Sequence, residues 1–244
     1  MQRLNLEKRY QEAKQALRDA LVETVEAGRL TASGALDQAA GSVDGQLYVL
    51  HSGAGGLDAL VIDPDGEGIE AAALSLQVRQ CFLKRRADGS PVDLVAEARA
   101  LGEVASQIPL SRPLGLLLVH LDPSGALSGL VGPVGGVRLL RSGAVAAAGP
   151  LLPLEAPKGV VGPLFGFSGT LAAGETLLLA SAGLADDEHR GGFDLDALAG
   201  FVVRSAGEAP LRADAMADAA SWARGRSSAL AARDIALVAI SRGA

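Results

Sequence analysis

The chain has 244 residues, a net charge of −6 and an isoelectric point near 5.1, and 49% of it is hydrophobic while only 3% is aromatic. An acidic chain with no basic stripe is not expected to bind nucleic acid, and a single cysteine, Cys81, excludes disulfide scaffolds and cysteine-rich zinc sites. No apolar stretch reaches the ~18–20 residues of a membrane span and no signal-peptide h-region opens the sequence, so a cytoplasmic protein with an aliphatic core is expected.

Residues 4–28 carry Leu6, Tyr10, Ala13, Leu17, Ala20 and Thr24 at alternating spacings of four and three, widened by Leu21 and Val25. That spacing predicts an amphipathic helix with Gly28 as its C-cap. Its stripe packs either on the chain's own body or on a second chain, as a homodimer or partner helix; three heptads do not decide between them. A boundary is therefore placed between a helix at 1–30 and a domain at 31–244.

From Thr31 the texture becomes short β-type runs divided by turn residues. Strands are expected at 46–51 and 57–63, separated by the glycine-rich turn from Ser52 to Gly56. Helices are expected at 69–86 and at 91–108, the second with Ser90 as cap and Pro91 in its first turn. Cys81 lies in the apolar part of the first of these and reads as a buried structural thiol. Lys84, Arg85 and Arg86 read as its solvated end.

Residues 114–121 form a continuous apolar run, read as a buried strand. The turn Asp122-Pro123-Ser124-Gly125 leads to a strand at 126–131. Hairpins follow at 137–140 with 144–147, and at 165–171 with 176–181. Helices at 195–204 and 213–224 precede a closing strand at 235–240. This order is not βαβα alternation, so antiparallel sheets faced by helices are expected rather than a parallel sheet.

Familiar enzyme signatures are absent: no Walker loop, no Gly-x-Ser-x-Gly elbow, no Cys-x-x-Cys. His51, His120 and His189 lack ligand spacing and read as ordinary strand or loop residues. One segment has chemistry to offer. Residues 60–68, Leu-Val-Ile-Asp-Pro-Asp-Gly-Glu-Gly, run from a strand end through a tight turn into a helix. A carboxylate there, Asp63, beside the carbonyl of Pro64, suits a hard cation.

That segment, followed by the small-residue helix start Ala71-Ala72-Ala73-Leu74, resembles the stage II sporulation protein E branch of the protein phosphatase 2C superfamily. The likeness continues in order. Residues 119–141 are similar to the family's hairpin ending in Ala-Gly-His-Pro-Pro. Gly159-Val160-Val161-Gly162-Pro163-Leu164 is similar to its Gly-x-Pro-Leu-Gly-Leu loop. Residues 173–184 are similar to Pro-Gly-Asp-x-Leu-Leu-Leu-Tyr-Thr-Asp-Gly-Leu, and residues 233–238 to the closing Asp-Asp-Ile/Ala-Thr-Leu strand. The resemblance implies an α-β-β-α sandwich of two antiparallel sheets, with two Mn²⁺ or Mg²⁺ ions between them that activate water for attack on a phosphoserine or phosphothreonine.

Carried over residue by residue, the family's metal ligands are mostly missing. The first acidic motif falls on residues 44–49, so its aspartates become Gln46 and Val49. Asp63 matches the second. The third falls on Ser181-Ala182-Gly183 and loses its aspartate to Ala182. The fourth starts at Arg233, with Asp234 one position late and, by the strand period, pointed to the other face. Arg233, always protonated, stands where a ligand is expected and is placed to pair with Asp63.

What the resemblance implies is then a pseudophosphatase, a regulatory or binding module without cofactor. Its partner would be a protein such as a phosphoprotein or anti-sigma-factor antagonist. The alternatives are an active Mn²⁺- or Mg²⁺-dependent phosphatase using Asp65, Asp186, Asp187 or Asp234, and an unrelated interaction domain.

Overall fold

The computed structural model describes residues 8, 12, 21, 24–39, 45–64, 66, 68–88, 92–107, 113–132, 136–141, 144–146, 151–181, 184, 194–206, 211–226, 230 and 233–243. Among these residues twelve strands make two antiparallel sheets. The first sheet has the order β1 (Thr24–Ala27), β2 (Leu30–Asp37), β12 (Ile235–Arg242), β11 (Thr176–Ala180), β7 (Gly136–Arg141) and β8 (Ala144–Ala146). The second has β3 (Leu47–Gly53), β4 (Gly56–Pro64), β5 (Leu114–Leu121), β6 (Ala126–Val131), β10 (Leu164–Thr170) and β9 (Leu152–Leu154). Helices α1 (Ile69–Ala87) and α2 (Leu94–Gln107) cover the second sheet, and α3 (Leu195–Ala206) and α4 (Ala213–Arg224) cover the first. The result is the expected four-layer α-β-β-α sandwich.

Alternation along the strands builds three cores from one set of sequences. In β4, Leu57, Ala59 and Val61 face the other sheet, while Leu60 and Ile62 face α1 and α2. In β12, Ala236, Val238 and Ile240 face between the sheets, while Ile235, Leu237 and Ala239 meet α3 and α4. A strand covered on both faces needs apolar residues at every position. That is why residues 114–121 and 235–240 read as continuous runs. The sheets approach closely where Gly34 of β2 lies over the Tyr48 ring: a Cβ on Gly34 would come within 2.5 Å of it.

Several expectations are corrected. The N-terminal helix lies outside the described residues except at Lys8 and Glu12, which are helical and 3.7 Å apart across one turn. It does not reach Gly28. Leu21 is not helical, and Thr24–Ala27 is a strand paired with β2 through the two-residue turn Gly28-Arg29. Gly28 has φ 61°, which suits a tight hairpin turn as well as a helix C-cap. The alternating Thr-Val-Glu-Ala was hidden inside a heptad-like spacing. Leu21 packs against the body, touching both the inter-sheet core and the core under α1 and α2.

The second helix begins at Leu94. Asp93 Oδ1 caps it, accepting from Val95 and Ala96 N–H at 3.0 and 3.1 Å. The expected cap Ser90 and Pro91 lie outside the described residues. Two strands went unread, β2 and β9. β2 is rich in small residues, Thr31-Ala32-Ser33-Gly34-Ala35, whose β signal is weak. β9 is three residues long with Pro153 at its centre.

Candidate functional site

At one end of the sandwich β4 finishes, β3 begins, β2 finishes and β12 begins. The register places Leu47 opposite Ile62, so Gln46 and Asp63 stand opposite one another at the next step. Asp63 continues the inward row of Leu57, Ala59 and Val61. On the facing sheet Ile235 pairs with Asp37, and Ser181 N–H donates to the Ala236 carbonyl just past β11. Antiparallel pairing within each sheet thus gathers polar residues from four strand ends at the same end of the core.

The side chains there are arranged as follows. Gln46 is fully buried, and its Nε2 donates to Asp63 Oδ2 at 3.3 Å. Asp63 is half-buried. The other end of the Gln46 amide, Oε1, is buried with no hydrogen-bond donor among the described residues. Leaving such an acceptor unmet costs about 1–3 kcal/mol. The Pro64 carbonyl, expected as a ligand, accepts from Gly66 N–H at 2.8 Å and closes the turn.

Asp234 departs from expectation. It keeps the parity of Ala236, Val238 and Ile240, is fully buried, and its Oδ1 accepts from Ala39 N–H at 2.9 Å. It therefore faces the inter-sheet side, not the other face. Arg233 is the exposed neighbour. The reason is one step of register: the strand period turns Asp234 inward and Arg233 outward. Arg224 of α4 holds this corner. Its Nε donates to Asp37 Oδ2 at 2.6 Å, its Nη2 to the Asp37 carbonyl at 2.7 Å, and its Nη1 to the Leu230 and Arg233 carbonyls at 2.6 and 3.1 Å.

Val49 is not brought to this site. It pairs with Leu60 and packs under α1 and α2 on the outer face of the sheet. Ala182, Asp65, Asp186, Asp187 and His189 lie outside the described residues. Among the described residues no three histidine, cysteine, aspartate or glutamate side chains converge as a metal-binding group.

A second polar cluster was not read from the sequence. His51, Asp58 and His120 occupy one rung across β3, β4 and β5, on the outer face. His120 Nδ1 lies 2.8 Å from Asp58 Oδ1, and His51 Nδ1 lies 3.4 Å from Oδ2. Arg86 of α1 reaches in, 3.9 Å from Asp58 Oδ1, and also hydrogen-bonds Glu97 of α2. Arg85 adds a bond to the same Glu97 oxygen at 3.1 Å. The end of α1 is thus not simply solvated: the Arg86 side chain is only 6% exposed. Cys81 is half-buried rather than buried, and burial, then the nearby Glu97 charge, pushes its thiol pKa up. The only hint in the sequence was polar residues inside strand patterns. The rung itself needs the register of three strands.

No protein-family model matches the chain, and no curated protein matches it. Solved structures do. The RsbU and RsbW domains of Rv1364c from Mycobacterium tuberculosis match with a TM-score of 0.67 at 20% identity, over 92% of this chain and 63% of that one. The PP2C phosphatase domain of the Bacillus subtilis cell-fate determinant SpoIIE, with a fragment of its regulatory domain, gives 0.65 at 16% identity, over 89% and 64%. The M. tuberculosis serine/threonine phosphatase PstP gives 0.62 at 15% identity, over 88% and 99%. The chain spans a little under two thirds of the length of the first two chains. At these identities the likeness establishes the fold. The chain has the PP2C-type phosphatase sandwich.

Proposed function

We propose that the chain is a cytoplasmic phosphatase-fold binding or regulatory module that holds no binuclear metal centre and does not hydrolyse phosphate esters. The observation that carries this reading is the Gln46 amide donating to Asp63. A two-metal centre needs several anionic oxygens around each ion. Here a neutral N–H donor is turned toward the carboxylate that a cation would meet, and the Pro64 carbonyl is engaged in its turn. These residues do not fit a pair of hard cations.

A protein partner is supported by the neighbours, which include RsbU and RsbW domains in one chain, and by apolar surface on the edge strand β9. Leu151, just before it, and Leu152, its first residue, are 55% and 65% exposed. We place the partner among phosphoproteins or anti-sigma-factor antagonists, with the N-terminal stripe as a further contact for a partner or a second copy. Light scattering that finds a monomer at tens of micromolar would remove the homodimer. Among the described residues no helix is long and apolar enough to cross a membrane.

One observation favours the alternative of an active Mn²⁺- or Mg²⁺-dependent phosphatase. Asp234 faces between the sheets, so a second carboxylate stands at the same end as Asp63. Turnover decides between the two. With millimolar Mn²⁺, no release of phosphate from p-nitrophenyl phosphate or a phosphoserine peptide above background is expected. Metal-dependent turnover abolished by Asp63→Ala would establish the enzyme instead.

A further inference from the structure

On the outer face of the second sheet one row of side chains differs from its neighbour. Val49, Leu60, Leu118, Leu130 and Gly166 pair across β3, β4, β5, β6 and β10, and the first four are buried under α1 and α2. Two residues along, the same pairing sets His51, Asp58, His120, Ser128 and Ser168 in a row, on the same face by strand parity. Asp58 fixes His120 in that row. His120 Nδ1 lies 2.8 Å from Asp58 Oδ1, and an ionised carboxylate only accepts, which assigns the proton to Nδ1. In the neutral ring the free lone pair is then on Nε2. Nε2 lies across the ring from Nδ1, so it is turned away from Asp58 and β4. It meets no hydrogen-bond partner among the described residues and is not one of the enclosed polar atoms, so it is open to solvent. The whole His120 side chain is 16% exposed. His51 is the control within the same row: its Nδ1 stands 3.4 Å from Asp58 Oδ2 and makes no hydrogen bond.

We propose that His120 Nε2 is a phosphoryl-acceptor site, a nucleophile that takes a phosphoryl group from an activated donor, an acyl phosphate or a phosphoramidate. Such a step needs a lone pair on the attacking nitrogen, an anion at the far nitrogen to meet the charge that develops on the ring, and donors for the phosphoryl oxygens. Asp58 is the anion, and Arg86, held by Glu97, stands 3.9 Å from the same oxygen that His120 bonds. Half-buried Ser128, on the strand away from β4, and exposed Ser168 beyond it offer hydroxyl donors. In the step the Nε2 lone pair forms the N–P bond. The bond from phosphorus to the donor's acyl oxygen or amine nitrogen breaks, and the carboxylate or amine leaves with that electron pair. The Nδ1 proton stays on the ring, bonded to Asp58, which acts as a positioning residue. No metal ion and no residue of the Asp63 end takes part, so the proposal stands apart from the metal-free reading.

The test incubates the full chain with potassium phosphoramidate at neutral pH. Phosphohistidine is read by mass spectrometry of peptides kept at alkaline pH, where the N–P bond survives. Phosphate is expected on His120 about tenfold faster than on His51 of the same molecules, because the hydrogen bond to Asp58 orients one ring and not the other. In Asp58→Asn the His120 rate is expected to fall to about that of His51. A variant that merely loosened the fold would raise both rates together, so their ratio separates positioning from structure. That ratio in the unmutated chain needs no variant, and a misfolded Asp58→Asn leaves the test intact. Equal labelling of the two histidines, no label on His120, or an unchanged ratio in a folded Asp58→Asn would overturn the proposal.

Discussion

Strand β4 carries two aspartates five residues apart, and their surroundings differ in kind. Asp58, near its start, faces outward beneath α1 and α2. It is flanked by two histidines and approached by Arg86, which Glu97 holds in turn. Asp63, near its end, faces inward and meets the neutral amide of Gln46. The first is a buried charge that meets groups from three elements, β3, β5 and α1. The second is a half-buried carboxylate beside an amide whose oxygen meets no donor among the described residues. Buried charge persists in folded proteins when it is paired. The Asp58 cluster thus has the form of structural charge, and the Asp63 end that of a more accessible carboxylate bonded by a neutral donor.

If that contrast is right, mutations at the two ends should differ in size. The largest effect is expected from Glu97→Ala. It strips a buried partner from Arg86 and should lower unfolding free energy in urea by about 3–5 kcal/mol. A loss under 1 kcal/mol would show that the outer cluster is not a buried ionic network. Asp58→Asn should cost about 2 kcal/mol, because bonds to a charged acceptor are replaced by weaker neutral ones. The same change at the inner end, Asp63→Asn, should cost less than about 1 kcal/mol, since the group is half-exposed and its bond from Gln46 comes from a neutral donor. Equal losses at Asp58 and Asp63 would erase the distinction between the two regions.

Much of the fold was legible because covered strands and helix stripes impose their periods on the sequence. Residues 114–121, 126–131 and 213–224 were bounded as observed, since Pro123, Gly125 and Gly225 punctuate apolar runs. The failures have physical causes. Thr24–Ala27 sits on an edge with alternating exposure, a signal four residues long that a heptad-like spacing absorbed. β2 is rich in small residues, and at Gly34 the Tyr48 ring leaves no room for a Cβ. In the candidate site, Gln46 and Asp63 were singled out through the family resemblance, one as a lost ligand and the other as a kept one; that they meet comes from the register of β3 on β4. Asp234 was misplaced because β12 was counted from the family motif rather than from its own row of Ala236, Val238 and Ile240. His51, Asp58 and His120 form a rung that no reading of one strand at a time reveals.

The central claim is that Gln46 has replaced cation coordination at Asp63. Isothermal titration of the purified, chelator-treated chain with Mn²⁺ tests it most directly. The account predicts no saturable binding in the micromolar range and the same featureless titration in Asp63→Asn. Two Mn²⁺ ions bound per chain, lost together in Asp63→Asn, would contradict it.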